Sequence, residues 1–166
     1  MVKMPVNFAT TLQREIAPPA TSQIAGYGVG RPIQVLLVED DPEAAVLARI
    51  FLAEDTEQQF RVEWSPSLRE AMSRLTEPGI DVVLLDLGMP ELTGYRTFRA
   101  LRISAGEELP IVVLTSDERH ESRDLTLESG ASEYLLKHTS TPLRLRQALR
   151  DAFLRYHPGR PDNSDS

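Results

Sequence analysis

The protein has 166 residues, of which 41% are hydrophobic and 26% charged, a composition typical of a globular domain. Its 25 acidic and 18 basic side chains give a net charge of −7. This charge argues against nonspecific binding to nucleic acid and against attachment to an anionic membrane, because both need a basic surface. The absence of cysteine excludes disulfides, thiol catalysis and cysteine metal sites, and it is compatible with a cytoplasmic location, which we expect.

The two ends of the chain differ from the part between them. Residues 1–32 are rich in proline and glycine and too short to bury a core of their own, so we expect a flexible N-terminal arm. The polar residues 157–166 predict a disordered tail. The sequence contains no run of about 18 apolar residues, so it predicts no membrane span. The tail is also too short for a DNA-binding helix-turn-helix, and the sequence therefore indicates one domain over residues 33–156.

Between these ends, strand patterns and helix patterns alternate five times. Apolar runs or apolar–polar alternation predict strands at residues 33–38, 60–65, 80–85, 111–114 and 134–136. The intervening segments carry helical spacing and capping signals: Asp41–Pro42, then Val46, Leu47, Ile50 and Phe51; Leu68 to Leu75; Tyr95, Phe98 and Leu101; residues 118–129 before Gly130; and Thr141–Pro142 onward. This alternation predicts an α/β fold with a mostly parallel, doubly wound sheet covered by helices on both faces.

Polar side chains follow four of the predicted strands. Glu39 and Asp40 follow the first strand, Asp86 the third, Thr115 the fourth and Lys137 the fifth. Because the carboxyl ends of parallel strands meet at one edge, we expect these side chains to lie together. Polar residues also end strands without any further role, and Asp41 is expected to be only a helix cap.

The predicted group of side chains suits phosphoryl chemistry. Three clustered carboxylates repel one another unless a cation lies between them, and an oxygen-only ligand set selects Mg²⁺, with Mn²⁺ as the other option. Lys137 can neutralise phosphate charge, and the Thr115 hydroxyl can donate to a phosphate oxygen. An aspartate can act as the nucleophile and form an aspartyl phosphate.

Residues 33–156 resemble the receiver domain of bacterial two-component response regulators. The segments that carry this resemblance are Val35–Pro42, Asp81–Pro90, Gly94, Pro110–Ser116 and Gly130–Lys137. The resemblance implies a flavodoxin-like fold of five parallel strands in the order 2-1-3-4-5. It also implies a signalling function without metabolic catalysis: a histidine kinase or a histidine phosphotransfer protein donates a phosphoryl group, and the receiver then signals to a downstream protein. The domain would be a monomer or a phosphorylation-dependent dimer.

The resemblance also implies a role for each matching residue. Asp86 corresponds to the phosphoacceptor, and Asp40 to the direct Mg²⁺ ligand. Glu39 would act on the metal through water, and the carbonyl of Gly88 would be a backbone ligand. Lys137 would bind the phosphoryl group. The last pair, Thr115 and Tyr134, corresponds to the switch residues.

The sequence departs from the family where His138 follows Lys137, because the family usually has a proline in a cis bond there. We expect a trans bond, since a cis bond without proline costs about 2.5–4 kcal/mol. Gly88 and Asp117 flank the site and leave the lifetime of the phosphoryl group open. We expect Trp64, on the second strand, to lie far from the site.

Three other functions compete with phosphorylation-driven signalling. A receiver-like scaffold acting by protein contact alone is the main alternative, and the complete acidic and basic site argues against it. An aspartyl-phosphate hydrolase of another family would show a second aspartate where Gly88 stands. A flavodoxin-type cofactor carrier would need glycine or hydroxyl donors where Glu39 and Asp40 stand.

Overall fold

The computed structural model describes residues 31–157, which form one five-stranded parallel sheet and five helices. The strands are β1 (Ile33–Val38), β2 (Phe60–Ser65), β3 (Val82–Leu85), β4 (Ile111–Thr115) and β5 (Glu133–Leu136). The helices are α1 (Pro42–Ala53), α2 (Leu68–Arg74), α3 (Tyr95–Ala105), α4 (His120–Glu128) and α5 (Pro142–Tyr156).

The order of the strands in the sheet is β2-β1-β3-β4-β5, with every neighbouring pair parallel. The flavodoxin-like, doubly wound fold expected from the sequence is therefore confirmed. Strands β1 and β3 lie in the interior of the sheet and are covered on both faces, which is why they read as nearly continuous apolar runs.

Two layers of helices enclose the sheet. On one face, Ala45, Ala48 and Leu52 of α1 and the apolar side of α5 pack on alternate residues of the strands. On the other face, Leu68 of α2 and Phe98 of α3 contribute to a second cluster. The two clusters lie on opposite faces of the same strands, so the sheet divides the hydrophobic core into two parts.

Local sequence signals set where the helices begin. The Asp41 carboxylate accepts a hydrogen bond from the Glu43 N–H, and Pro42 occupies the first turn of α1. Ser67 and Thr141 cap α2 and α5 in the same way. The functionally neutral interpretation of Asp41, that of a helix cap, is therefore confirmed.

Two helices differ from what their sequences suggest. In α1 the large apolar residues Val46, Leu47 and Ile50 are exposed by 41–49%, while small alanines face the core. In α4 the only buried residues are Ser122 and Thr126, which are polar. Helix α4 is therefore held by little apolar contact, and α1 presents apolar side chains outward.

The predicted arm and tail lie outside the described residues, except for Arg31, Pro32 and His157. Arg31 forms two hydrogen bonds to the Asp81 carboxylate, at 2.5 and 2.8 Å, and so fastens the start of the described chain to the sheet. Within residues 31–157, no helix is long and apolar enough to cross a membrane. The cytoplasmic location stays a prediction.

Candidate functional site

The sheet brings the predicted site residues together at one edge. Glu39 and Asp40 directly follow β1, Asp86 directly follows β3, and Lys137 directly follows β5, while Thr115 is the last residue of β4. The backbone continues the pairing at this edge, since the Asp86 N–H donates to the Val38 carbonyl and the Lys137 N–H donates to the Thr115 carbonyl. The expectation that four strand ends converge is thus borne out by the geometry.

Lys137 joins the two buried carboxylates of the group. Its Nζ lies 2.6 Å from Glu39 Oε2 and 2.7 Å from Asp86 Oδ2. Burial works to lower the pKa of Lys137, but the hydrogen bonds to Asp86 and Glu39 and their charges outweigh it, so the pKa lies above its usual value. Lys137 is therefore a fixed positive charge between two acids.

Asp86 is kept ionised at the bottom of the site. Its burial works to raise the pKa of the carboxyl, but the hydrogen bonds from Lys137 and from the Gly88 N–H, together with the charge of Lys137, bring the pKa below its usual value. The Thr115 hydroxyl adds to this lowering of the pKa. An ionised, hydrogen-bonded carboxylate is the form in which aspartate can act as a nucleophile.

Glu39 has the opposite balance. Burial is the largest cause that raises the pKa of its carboxyl, and the negative charge of Asp86 adds to it, while hydrogen bonds from Lys137 and the Asp41 N–H oppose it. The net pKa lies above the usual value. The negative charge of the three clustered carboxylates therefore exceeds the single positive charge of Lys137.

The donor set fits a hard divalent cation. Carboxylate oxygens of Glu39, Asp40 and Asp86 all lie within 4.8 Å of one another, and Asp40 is the exposed member. A cation here would offset the repulsion between the Glu39 and Asp86 carboxylates, which adds to the effect of burial on the pKa of Glu39. Oxygen ligands with an open side toward solvent are typical of Mg²⁺, which keeps several waters.

A small cleft of about 80 Å³ borders this group. Glu39, Asp86 and Lys137 lie at one end of it, and its apolar walls come from α1, α5 and the sheet, with Leu47 and Phe51 among them. Of the apolar residues that α1 exposes, Leu47 lines the same cleft as Asp86.

A chain of hydrogen bonds connects Thr115 with Tyr134. The Asp117 N–H donates to Thr115 Oγ1 at 3.3 Å, and the Tyr134 hydroxyl donates to the Asp117 carbonyl at 2.8 Å. The backbone of Asp117 thus contacts both predicted switch residues. Tyr134 itself is half-buried against the apolar cluster that contains α3.

The departures from the family pattern are visible in the loops. All peptide bonds among residues 31–157 are trans, which confirms the expectation for the bond between Lys137 and His138. His138 Nε2 lies 3.2 Å from Glu118 Oε1, and both side chains are exposed. The side chain of Asp117 is paired with Arg119 at 2.7 Å.

One sequence expectation about the site is wrong. Trp64 is not distant, because its Nε1–H donates to the Glu39 carbonyl at 2.7 Å. The register pairs Val38 with Ser65, so the residue after β1 lies beside the end of β2. That register was the missing signal, and sequence patterns alone do not supply it.

Comparison with known proteins agrees with this geometry. The model of the response regulator receiver domain matches residues 35–150. The two-component response regulator ORR5 of Oryza sativa subsp. japonica is 32% identical over 121 residues, which cover 71% of this chain and 87% of that protein. A probable cyclic di-GMP phosphodiesterase of Vibrio cholerae is 32% identical over 110 residues, but the chain spans only 24% of its length.

The same likeness is found among solved structures. The crystal structure of a response regulator receiver domain protein from Clostridium thermocellum is 26% identical, with a TM-score of 0.65, and the match covers 75% of this chain and 97% of that one. The residues that the family model matches include Glu39, Asp40, Asp86 and Lys137. The chain therefore belongs to the family of response regulator receiver domains.

Proposed function

We propose that this receiver domain accepts a phosphoryl group on Asp86 from a histidine kinase or a histidine phosphotransfer protein and signals to a protein partner through a change of shape. The observation that carries the proposal is the Asp86 carboxylate, hydrogen-bonded to Lys137 at 2.7 Å and lying beside the carboxylates of Glu39 and Asp40. In this proposal the domain catalyses only its own phosphorylation and dephosphorylation.

The side chains have complementary tasks in the transfer. An oxygen of Asp86 forms a bond to phosphorus while the bond from phosphorus to the donor's imidazole nitrogen breaks, and the imidazole leaves with the electron pair. The Lys137 ammonium faces the added negative charge, and the Thr115 hydroxyl can donate to a phosphoryl oxygen. Glu39, Asp40 and Asp86, with the Gly88 carbonyl, would hold Mg²⁺ or Mn²⁺, which supplies charge neutralisation at the phosphoryl oxygens.

A protein donor is supported by the surface around the cleft. Val46, Leu47 and Ile50 of α1 expose apolar side chains, and Leu143 at the start of α5 is 56% exposed. Leu47 also lines the cleft that borders Asp86. Exposed apolar groups in one place are typical of contact surfaces, so a protein that covers them would bring its phosphohistidine close to the acceptor.

The proposed switch follows from the hydrogen bonds that connect Thr115 and Tyr134 through the backbone of Asp117. A phosphoryl oxygen competes for the Thr115 hydroxyl, which draws this residue toward Asp86 and disturbs its contact with the Asp117 N–H. Because the Asp117 carbonyl also holds Tyr134, the ring responds to the same shift. Helix α4 begins shortly afterwards and has few core anchors, so we expect it to move.

Intact-mass analysis after incubation with acetyl phosphate and Mg²⁺ tests the proposal. The wild type should gain the mass of one phosphoryl group, and Asp86→Asn should gain none. Asp124→Asn is the matched control, because it makes the same change on the exposed face of α4 and should be labelled like the wild type. Undiminished labelling of Asp86→Asn would refute the assignment of the acceptor. An unlabelled wild type would instead favour the scaffold function.

Gel filtration of the labelled protein provides a second readout. The proposal allows a monomer or a phosphorylation-dependent dimer, and the output is through protein contact, not DNA. If treatment with acetyl phosphate changes the elution volume of the wild type but not that of Asp86→Asn, phosphorylation alters the oligomeric state.

A further inference from the structure

Trp64 is the aromatic residue nearest the end of β2, and it makes a polar contact with the acidic segment. Its indole Nε1–H donates to the Glu39 carbonyl at 2.7 Å. The Glu39 N–H donates to the Ser65 carbonyl at 3.2 Å. Both backbone groups of Glu39 are thus held by two successive residues of β2, one through a side chain and one through the backbone.

This contact fixes a peptide that matters for the site. The carbonyl that accepts the indole N–H belongs to the peptide between Glu39 and Asp40. The orientation of this peptide sets the direction in which the Asp40 side chain extends from the backbone. The side chain of Glu39 is held separately, by the Asp41 N–H and by Lys137. Asp40 is exposed, and the backbone is what positions it.

We propose that Trp64 is a positioning residue for the cation-binding side of the site: its indole N–H holds the Glu39–Asp40 peptide so that the Asp40 carboxylate faces those of Glu39 and Asp86. The inference rests on the proposed function, because it concerns the residues that would hold the metal. Trp64 contacts the carbonyl of Glu39 and none of the reacting atoms, so its effect passes through the backbone.

A purely structural role is the competing explanation. Trp64 also packs against the apolar cluster beneath α1 and α5, and a partly buried indole usually finds an acceptor. The two explanations differ in what they predict for metal binding. Loss of packing lowers the stability of the whole domain, whereas loss of the N–H contact lowers cation affinity even in the fully folded protein.

The experiment compares Trp64→Phe, which removes the N–H and keeps an aromatic ring, with Phe60→Leu, which trims another side chain of β2 that packs on the same cluster. Apparent Mg²⁺ affinity is measured from the amide shift of Gly88, and stability from urea unfolding. We expect Trp64→Phe to bind Mg²⁺ about fivefold more weakly, the equivalent of one hydrogen bond of about 1 kcal/mol, and Phe60→Leu to bind as the wild type does.

Several results would overturn the inference. Equal Mg²⁺ affinity in Trp64→Phe and the wild type is one of them. Equal weakening in both variants, in proportion to their loss of stability, is another, because it would make Trp64 a core residue only. A wild type without any saturable Gly88 shift would contradict the cation site itself, and with it the proposed function.

A measurement on the wild type keeps the inference testable if Trp64→Phe does not fold. Trp64 is the only tryptophan of the chain, so its indole N–H resonance and its fluorescence are unambiguous. Both should change during the Mg²⁺ titration with the midpoint of the Gly88 shift. An indole N–H that exchanges as freely as that of a free tryptophan and ignores Mg²⁺ would refute the proposed contact.

Discussion

Lys137 is the cation on which two buried carboxylates depend, so its removal tests the electrostatics of the site directly. In Lys137→Met, Glu39 and Asp86 each lose a hydrogen bond, of 2.6 and 2.7 Å, and face each other's charge. A hydrogen bond to a charged group contributes about 1.5–3 kcal/mol. The lysine side chain is 26% exposed, and water replaces part of what it provides. We therefore expect the free energy of unfolding to fall by about 2–3 kcal/mol at about pH 7.5.

The loss should depend on pH with a definite sign. An acid whose pKa is lowered by folding stabilises the fold above its unfolded pKa, and an acid whose pKa is raised destabilises it there. In the wild type the two acids oppose each other, because the pKa of Asp86 is lowered and that of Glu39 is raised. Without Lys137 the pKa values of both rise, so the variant loses stability as the pH increases from about 4 to 7.

Urea unfolding of both proteins at about pH 4.5 and pH 7.5 measures this difference. Arg99→Met is the matched control, since it removes a cation from the exposed face of α3 and should change stability by less than about 0.5 kcal/mol. The reasoning fails if Lys137→Met is as stable as the control at the higher pH. It also fails if the difference from the wild type does not shrink at the lower pH.

Three further predictions concern the surroundings of the site. Thr115→Ala should still be phosphorylated, but beryllofluoride should no longer shift the Tyr134 and α4 resonances in NMR spectra; wild-type shifts in this variant would exclude the proposed route. Gly94→Ala and Gly106→Ala should each lower the free energy of urea unfolding by about 1–3 kcal/mol, because both glycines combine a positive φ (+61° and +72°) with an extended ψ that other residues rarely adopt; unchanged stability in both variants would contradict this. Folding lowers the pKa of Asp117 to about 2, chiefly through its hydrogen bond with Arg119. The wild type loses the stability that this carboxylate contributes between about pH 4 and 2, whereas Asp117→Asn has none to lose, so acid unfolding of Asp117→Asn should be less steep in this range.

The elements of the fold were predictable because each one carries its own periodicity. The strands at residues 33–38 and 60–65 have the predicted bounds, while β3 begins at Val82, two residues later than the apolar run. Asp81, before it, accepts hydrogen bonds from Arg31 and from the Gln34 N–H. The contact of Asp81 with Arg31, 50 positions away, is not encoded in the local pattern of either segment.

The same distinction applies to the site. Glu39, Asp40, Asp86, Thr115 and Lys137 were predictable, because a parallel sheet carries the residues after its strands to one edge. The contact of Trp64 with Glu39 depends on the register of β1 against β2, which periodicity does not determine. Helical spacing likewise identified α1 but not its buried side, which is formed by Ala45 and Ala48 beside exposed Val46 and Leu47.

The distribution of packing indicates which surface would respond to the proposed phosphorylation of Asp86. Helices α1, α3 and α5 are anchored by fully buried apolar side chains, such as Phe98 in α3. The buried side chains of helix α4 are only those of Ser122 and Thr126, which are polar. The helix directly follows the loop in which Asp117 contacts Thr115 and Tyr134. A shift of that loop therefore meets the least resistance at α4, since little apolar contact is lost when the helix moves. In the proposed function, a change of charge at Asp86 would therefore be transmitted mainly to α4, the helix with the least apolar anchoring.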